Sequence, residues 1–210
     1  MIADFAPALT LVPQYRVLDI ETPDDLDYRM LDIEPRIADL GIPSLHVLNL
    51  GAGNGTGNFA GQIQNLPVAH LCNVELFDDA LWQLSHYPHA AQSVRFAHQD
   101  MLEFCRMARD NTYDVILVID AIEHLTREQG FELLGHLTRI ARKRVMLWLP
   151  FGKCEQHSYG GNDLQEHQSE WQPHDFVKAV KEPFVVEVDV CWAHYHIKGN
   201  PRAGWVVISI

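Results

Sequence analysis

From about Leu45 onward, short apolar runs alternate with longer stretches in which apolar residues recur at helical spacing. Residues 46–50, 69–75, 94–98, 114–120, 145–149, 184–190 and 205–210 have strand length and a high Val, Ile and Leu content. Residues 78–85, 101–109 and 127–141 lie between the earlier runs and predict helices. Strands separated by helices imply right-handed crossovers and a mostly parallel sheet. Runs apolar at successive positions fit a sheet covered on both faces. The last two runs are joined only by CWAHYHIKGNPRAG, whose Gly199, Asn200 and Pro201 are turn residues, so an antiparallel hairpin is expected there. The pattern predicts an α/β, doubly wound, seven-stranded and mostly parallel sheet.

Residues 1–44 precede this pattern and are read as an N-terminal helical cap, with residues 45–210 as the main unit of one structural domain. Thr22, Pro23, Asp24 and Asp25 form a helix start: a capping hydroxyl, a first-turn proline, then acids at the positive dipole end. Pro35 is expected to interrupt or kink the helix that follows. A cap in this position suits a lid over a ligand.

Composition narrows the class of protein. A chain of 210 residues, 47% apolar and 21% charged, matches one ordinary globular domain. The longest unbroken apolar runs, 115–119 and 145–149, are too short to cross a bilayer. Asp4 and the lack of a basic lead segment argue against a secretory signal. Cys72, Cys105, Cys154 and Cys191 are widely separated without a CxxC pair, so neither disulfides nor a thiolate metal site is expected, and a reducing cytoplasm is the simpler setting. The net charge of −12 disfavours a broad nucleic-acid surface. Arg139, Arg142, Lys143 and Arg144 break the trend, but they fall at a predicted helix end, where cations complement the dipole.

The strongest local signal is HVLNLGAGNGTG at residues 46–57, a buried strand running into glycines before a helix that starts near Asn58. Glycines at such a junction let the backbone turn tightly and approach a ligand closely, and the helix start offers free amides. Dinucleotide loops prefer GxGxxG, and Thr56 occupies the position of the third glycine. The Gly-Lys-Ser/Thr closing a phosphate loop is absent. Three acids then fall at successive strand ends: Glu75, Asp100 and Asp120. Ligands of open α/β sheets bind at that edge. A carboxylate at Glu75 suits ribose hydroxyls, and Asp100 suits an adenine amino group with Met101 packed on the ring. Each acid alone reads as a helix cap; together they favour a nucleoside site.

Through NLGAGNG, NVELFDD, AHQDM and YDVILVIDAIEHL, residues 45–150 resemble the class I S-adenosylmethionine (SAM) methyltransferases, of the type 11-like kind. The resemblance implies a Rossmann-like methyltransferase fold with the antiparallel strand inserted near its end. It implies SAM as cofactor, held by Asn49, Gly51, Ala52, Gly53, Gly55, Glu75, Leu76, Asp100, Met101 and Asp120. Asn49 departs from the acid usual at that position.

Two further segments carry candidate chemistry. If the chain is helical from residue 120, then Asp120, Glu123 and His124 share a face at i, i+3 and i+4. Such a set suits a divalent metal, or His124 as the general base. His167 stands before Glu170 and Trp171 in the segment after the fifth sheet strand. The pair resembles the ExxEH metal-dependent O-methyltransferases, small-RNA 3′-terminal 2′-O-methyltransferases among them. By that resemblance Asp120, Glu123, His124 and His167 are metal ligands, with Asp120 in place of glutamate. A metal is the less favoured reading. The polar, glycine-containing stretch 151–171 is the expected substrate loop, with Gln156, His157, Tyr159, Asn162 and His167 as contacts.

The expected function is methyl transfer from SAM to oxygen or nitrogen of a small polar molecule in the cytoplasm, with no nucleic-acid or membrane partner. The alternatives are a SAM-binding regulatory or assembly protein without catalysis, and a metal-assisted 2′-O-methyltransferase of RNA ends. An NAD-dependent oxidoreductase is disfavoured by Thr56.

Overall fold

In the computed structural model, residues 14–17, 33–55, 58–158, 161–181, 183–192 and 202–210 are described. Their strands are β1 (Gln14–Val17), β2 (His46–Leu50), β3 (His70–Glu75), β4 (Ser93–His98), β5 (Tyr113–Ile119), β6 (Ala141–Phe151), β7 (Val185–Trp192) and β8 (Arg202–Ser209). One sheet holds them in the order β1-β7-β8-β6-β5-β2-β3-β4. β2 pairs in parallel with both β3 and β5, and β6 with β5. β8 runs antiparallel between β6 and β7. The expected seven strands and their closing hairpin are therefore present.

β1 adds an eighth strand, parallel to β7 at the edge. It lies in the stretch read as a helical cap, where the described residues form this strand and one helix, α1 (Ile33–Ala38). The predicted helix start at residues 22–25 lies outside the described residues. Pro35 does not break α1. It sits in the first turn, where backbone amides lack an intrahelical acceptor and a missing N–H costs nothing.

Alternation along the strands divides the core in two. Leu48, Leu50, Ile116, Val118, Leu147 and Leu149 face one side and pack under α4 (Met101–Met107), α5 (Arg127–Ile140) and α6 (Pro173–Ala179). Val47, Leu71, Val115, Leu117, Met146 and Trp148 face the other, under α1 and α2 (Asn58–Gln64). Both faces are covered, which is why the strands read as unbroken apolar runs. α3 (Asp78–Ser85) completes the helices between strands.

Residues 126–140 illustrate how sequence becomes element. Thr126 and Gln129 form a reciprocal capping box, and Leu133, Leu134, Leu137 and Ile140 make one buried stripe. The basic cluster beyond is structural, with a different target from the one expected. Arg139 donates to the carbonyls of Cys105 and Ala108 at the end of α4, not of its own helix. Arg144 pairs with Asp39 and donates to the Arg36 carbonyl. Cys72, Cys105 and Cys154 are free, buried thiols. Among the described residues no helix is long and apolar enough to cross a membrane.

Successive strands move outward from β2 to β3 and β4, and the chain then returns to β5 beside β2. At such a reversal the loops leaving neighbouring strands diverge, opening a crevice at the strands' carboxyl ends.

Candidate active site

A cavity of about 350 Å³ fills that crevice, floored by Asn49, Gly51, Ala52 and Gly53 after β2. Glu75 and Leu76 come from the end of β3, Asp100 and Met101 from the end of β4, and Asp120 and His124 from beyond β5. Four strand ends thus deliver most of the residues singled out in the sequence to one site. Gly55 belongs to the same turn but not to the cavity wall, where it packs near Leu84 and Tyr87.

The glycine turn is built for closeness. Gly51 has φ 64°, and a Cβ there would lie 2.7 Å from the Ala121 Cβ, so no other residue fits without displacing the turn after β5. Glu75 then clamps the turn to the neighbouring strand. One carboxylate oxygen accepts the Gly53 amide at 2.7 Å, and the other accepts the amides of Leu76 and Phe77 at 2.9 Å. A carboxylate offers about four lone-pair sites, so acceptor capacity remains for a bound hydroxyl. Asn49 stands behind the turn in a neutral amide ladder, donating to Asn73, which donates to Gln64.

Asp100 is also the N-cap of α4, one oxygen accepting the amides of Leu102 and Glu103. The cap and the cavity position are compatible, because its second oxygen takes no part in the cap.

Beyond β5 the chain departs from the helix considered for residues 120–124. Asp120 turns left-handed at φ 44°, its amide bonded to the Trp148 carbonyl, and a 3-10 turn follows at Ile122–His124. Asp120 consequently lines the cavity, while Glu123 is driven underneath it and is 1% exposed. Both Glu123 carboxylate oxygens lack a hydrogen-bond partner. Burial, reinforced by the charge of Asp120, pushes its carboxyl well above the ordinary range.

His124 and His167 close on Glu123 from two segments. One ligand atom from each of the three residues lies within 4.8 Å of the others, and Asp120 is not in that set. The His124 Nδ1 bonds to the Glu166 carbonyl at 3.2 Å and the His167 Nδ1 to the Cys154 carbonyl at 2.7 Å. With Nδ1 donating to a carbonyl, each neutral ring has Nε2 as its acceptor nitrogen, a tautomer able to bind a metal. Burial lowers the pKa of both, keeping them neutral. The donor set, one carboxylate and two imidazoles, fits a divalent transition metal.

The loop between β6 and α6 is folded back firmly. The Gly152 amide donates to the Trp171 carbonyl, and the amides of Gln168 and Ser169 donate to the main-chain carbonyl of Glu123. Trp171 is fully buried against Gly130, where a Cβ would come within 2.3 Å of the indole. Arg127 stacks over that indole and pairs with Asp175. Of the expected substrate contacts, Gln156 braces the loop by donating to the Gln165 carbonyl, and Asn162 caps the 3-10 turn at Asp163–Gln165. His157 is exposed and does not line the cavity. Tyr159 lies outside the described residues. The loop residues that do line the cavity are Leu164, Gln165 and Gln168, none of them anticipated.

No protein-family model matches the chain, and no curated protein sequence does. Solved structures do match. A SAM-dependent methyltransferase from Methanosarcina mazei is 12% identical with a TM-score of 0.65, the match covering 85% of this chain and 97% of that one. The methyltransferase domain of bacterial CtHen1-CN is 19% identical with a TM-score of 0.59, covering 87% and 97%. Magnesium protoporphyrin IX methyltransferase from Synechocystis PCC 6803, with bound SAM, is 18% identical with a TM-score of 0.54, covering 81% and 73%. The chain has the fold of the class I SAM-dependent methyltransferases.

Proposed function

We propose that this protein transfers a methyl group from SAM to an oxygen or nitrogen of a small polar acceptor. The observation that carries the reading is the meeting of Glu75, Asp100 and Asp120 around one cavity beside the glycine turn. Three carboxylates at successive strand ends suit a nucleoside with a cationic tail. Glu75 receives the ribose hydroxyls, Asp100 the adenine amino group with Met101 on the ring, and Asp120 the ammonium and sulfonium charges. The cofactor supplies a methyl group already activated on sulfur; the protein aligns it and excludes water. His124, its Nδ1 held by Glu166, offers Nε2 to the acceptor's proton.

Calorimetry tests this directly. SAM and S-adenosylhomocysteine (SAH) are expected to bind in the micromolar range, and Glu75→Ala to weaken both at least tenfold. Failure of either nucleoside to bind refutes the proposal. If both bind but no acceptor turns over, a binding protein without catalysis becomes the better account.

A second reading has its own support. Glu123, buried and without a partner beside two neutral imidazoles, is costly unless a cation or a proton neutralises it. A divalent ion held by Glu123, His124 and His167 would do so and would orient an acceptor oxygen. Manganese titration followed by electron paramagnetic resonance is expected to show one tight site, lost in His167→Ala. Transfer to RNA ends is the weaker form of this reading, given the net charge of −12.

A further inference from the structure

We propose that Gln165 and Gln168 recognise the methyl acceptor and select an uncharged or cationic polar molecule over an anion. The inference rests on the methyl-transfer reading. Both residues belong to the loop between β6 and α6, and both line the cavity that holds the glycine turn. Their backbones are fixed. The Gln165 carbonyl accepts from the Gln156 side chain and its main-chain amide donates to the Asn162 carbonyl, while the Gln168 main-chain amide donates to the Glu123 carbonyl at 2.9 Å.

Their side chains are not engaged. Elsewhere near the site, carboxamides are committed to structure: Asn49 to Asn73, Asn73 to Gln64, Gln156 to Gln165, and the Asn162 oxygen to Leu164. No hydrogen bond is formed by the side chains of Gln165 and Gln168 within the described residues, although their main chains are held. Together they present two carbonyl acceptors and four N–H donors to the cavity. Such groups match hydroxyls, amines and amides flanking a nucleophile, and Leu125 and Leu164 beside them give an apolar wall for the rest of the molecule.

The charges on the cavity wall point the same way. Glu75, Asp100 and Asp120 are acidic, and no lysine or arginine lines the cavity among the described residues. An anionic acceptor would enter against three carboxylates with no cation to pair with. A carboxamide pair is the neutral recognition element that such a field permits.

The test uses wild-type protein loaded with SAH, in chelator, and three phenols of matched size that differ in charge: tyramine, 3-(4-hydroxyphenyl)propanamide and 3-(4-hydroxyphenyl)propanoate. Binding is read by saturation-transfer NMR and titration. Tyramine and the propanamide are expected to bind at least tenfold more tightly than the propanoate. The double variant Gln165→Leu/Gln168→Leu should weaken the propanamide at least fivefold and leave SAH affinity within twofold. Gln168→Lys should strengthen the propanoate. Equal or preferential binding of the propanoate overturns the inference, as does failure of all three to bind or a leucine variant that keeps wild-type affinities. SAH affinity is measured first, so its absence counts against methyl transfer and is told apart from a wrong acceptor assignment.

Discussion

A carboxylate buried without partners costs several kcal/mol, and proteins keep one only where something else requires it. Glu123 is such a group. Glu123→Gln retains the shape and removes the charge, so it is expected to stabilise the metal-free protein at neutral pH by about 1–3 kcal/mol. Added manganese should raise the melting temperature of wild type and not of the variant. Differential scanning calorimetry with and without chelator checks both; a destabilised variant would mean that Glu123 is held by contacts of its own. The acids of the site were legible in the sequence, because Glu75, Asp100 and Asp120 each follow a strand. The separate fates of Asp120 and Glu123 were not, since they depend on a left-handed turn at an aspartate that nothing nearby announces. Gln165 and Gln168 were missed for a related reason. A glutamine in a polar loop looks solvated until the loop is known to fold back over a cavity.

That folding back is secured where α5 meets the loop. Gly130, inside a helix, leaves the space that Trp171 fills. Gly130→Ala should gain up to about 1 kcal/mol of helix propensity yet lose more to overpacking, for a net cost of about 1–3 kcal/mol by chemical denaturation. Burial opposes ionisation of Asp175, but hydrogen bonds from Arg127 and the Gln172 amide outweigh it and hold the carboxyl below its usual range. A depressed carboxyl stabilises the fold above the ordinary carboxyl range, and that stability is lost as pH falls through the depressed value. Asp175→Asn is therefore expected to cost about 1–2 kcal/mol at pH 7, with the gap to wild type closing below about pH 4. A gap that persists in acid would assign the loss to packing. The strands were readable because both sheet faces are covered, and α3, α4 and α5 because they fall between those runs with apolar residues at helical spacing. β1 was not, since four residues carry no periodicity and their pairing partner, β7, is far away in sequence.

The alternation of strands and helices was enough to predict the doubly wound sheet, whereas the placement of β1 at its edge depends on contacts that no local pattern encodes. Charge acts over the same long range. With a net charge of −12, the protein attracts a cationic nucleoside more than a neutral one. Raising salt from about 20 to 200 mM shortens the Debye length from about 20 to 7 Å. SAM affinity is expected to fall several-fold over that range and SAH affinity to change less, as measured by calorimetry. Parallel salt dependence of the two would show that the sulfonium charge is not what the field acts on.

The pairing of β1 with β7 also sets a timetable for a chain made from one end. At about 5–20 residues per second, the roughly 170 residues between Gln14 and its partner Glu187 take about ten to thirty seconds to emerge from the ribosome. During that interval β2 to β5 can already pair, while β1 waits with its backbone unmatched. β8, made last, fills the place between β6 and β7. Nascent chains stalled before Arg202 would therefore expose two open strand edges, the surfaces on which chaperones and aggregation compete.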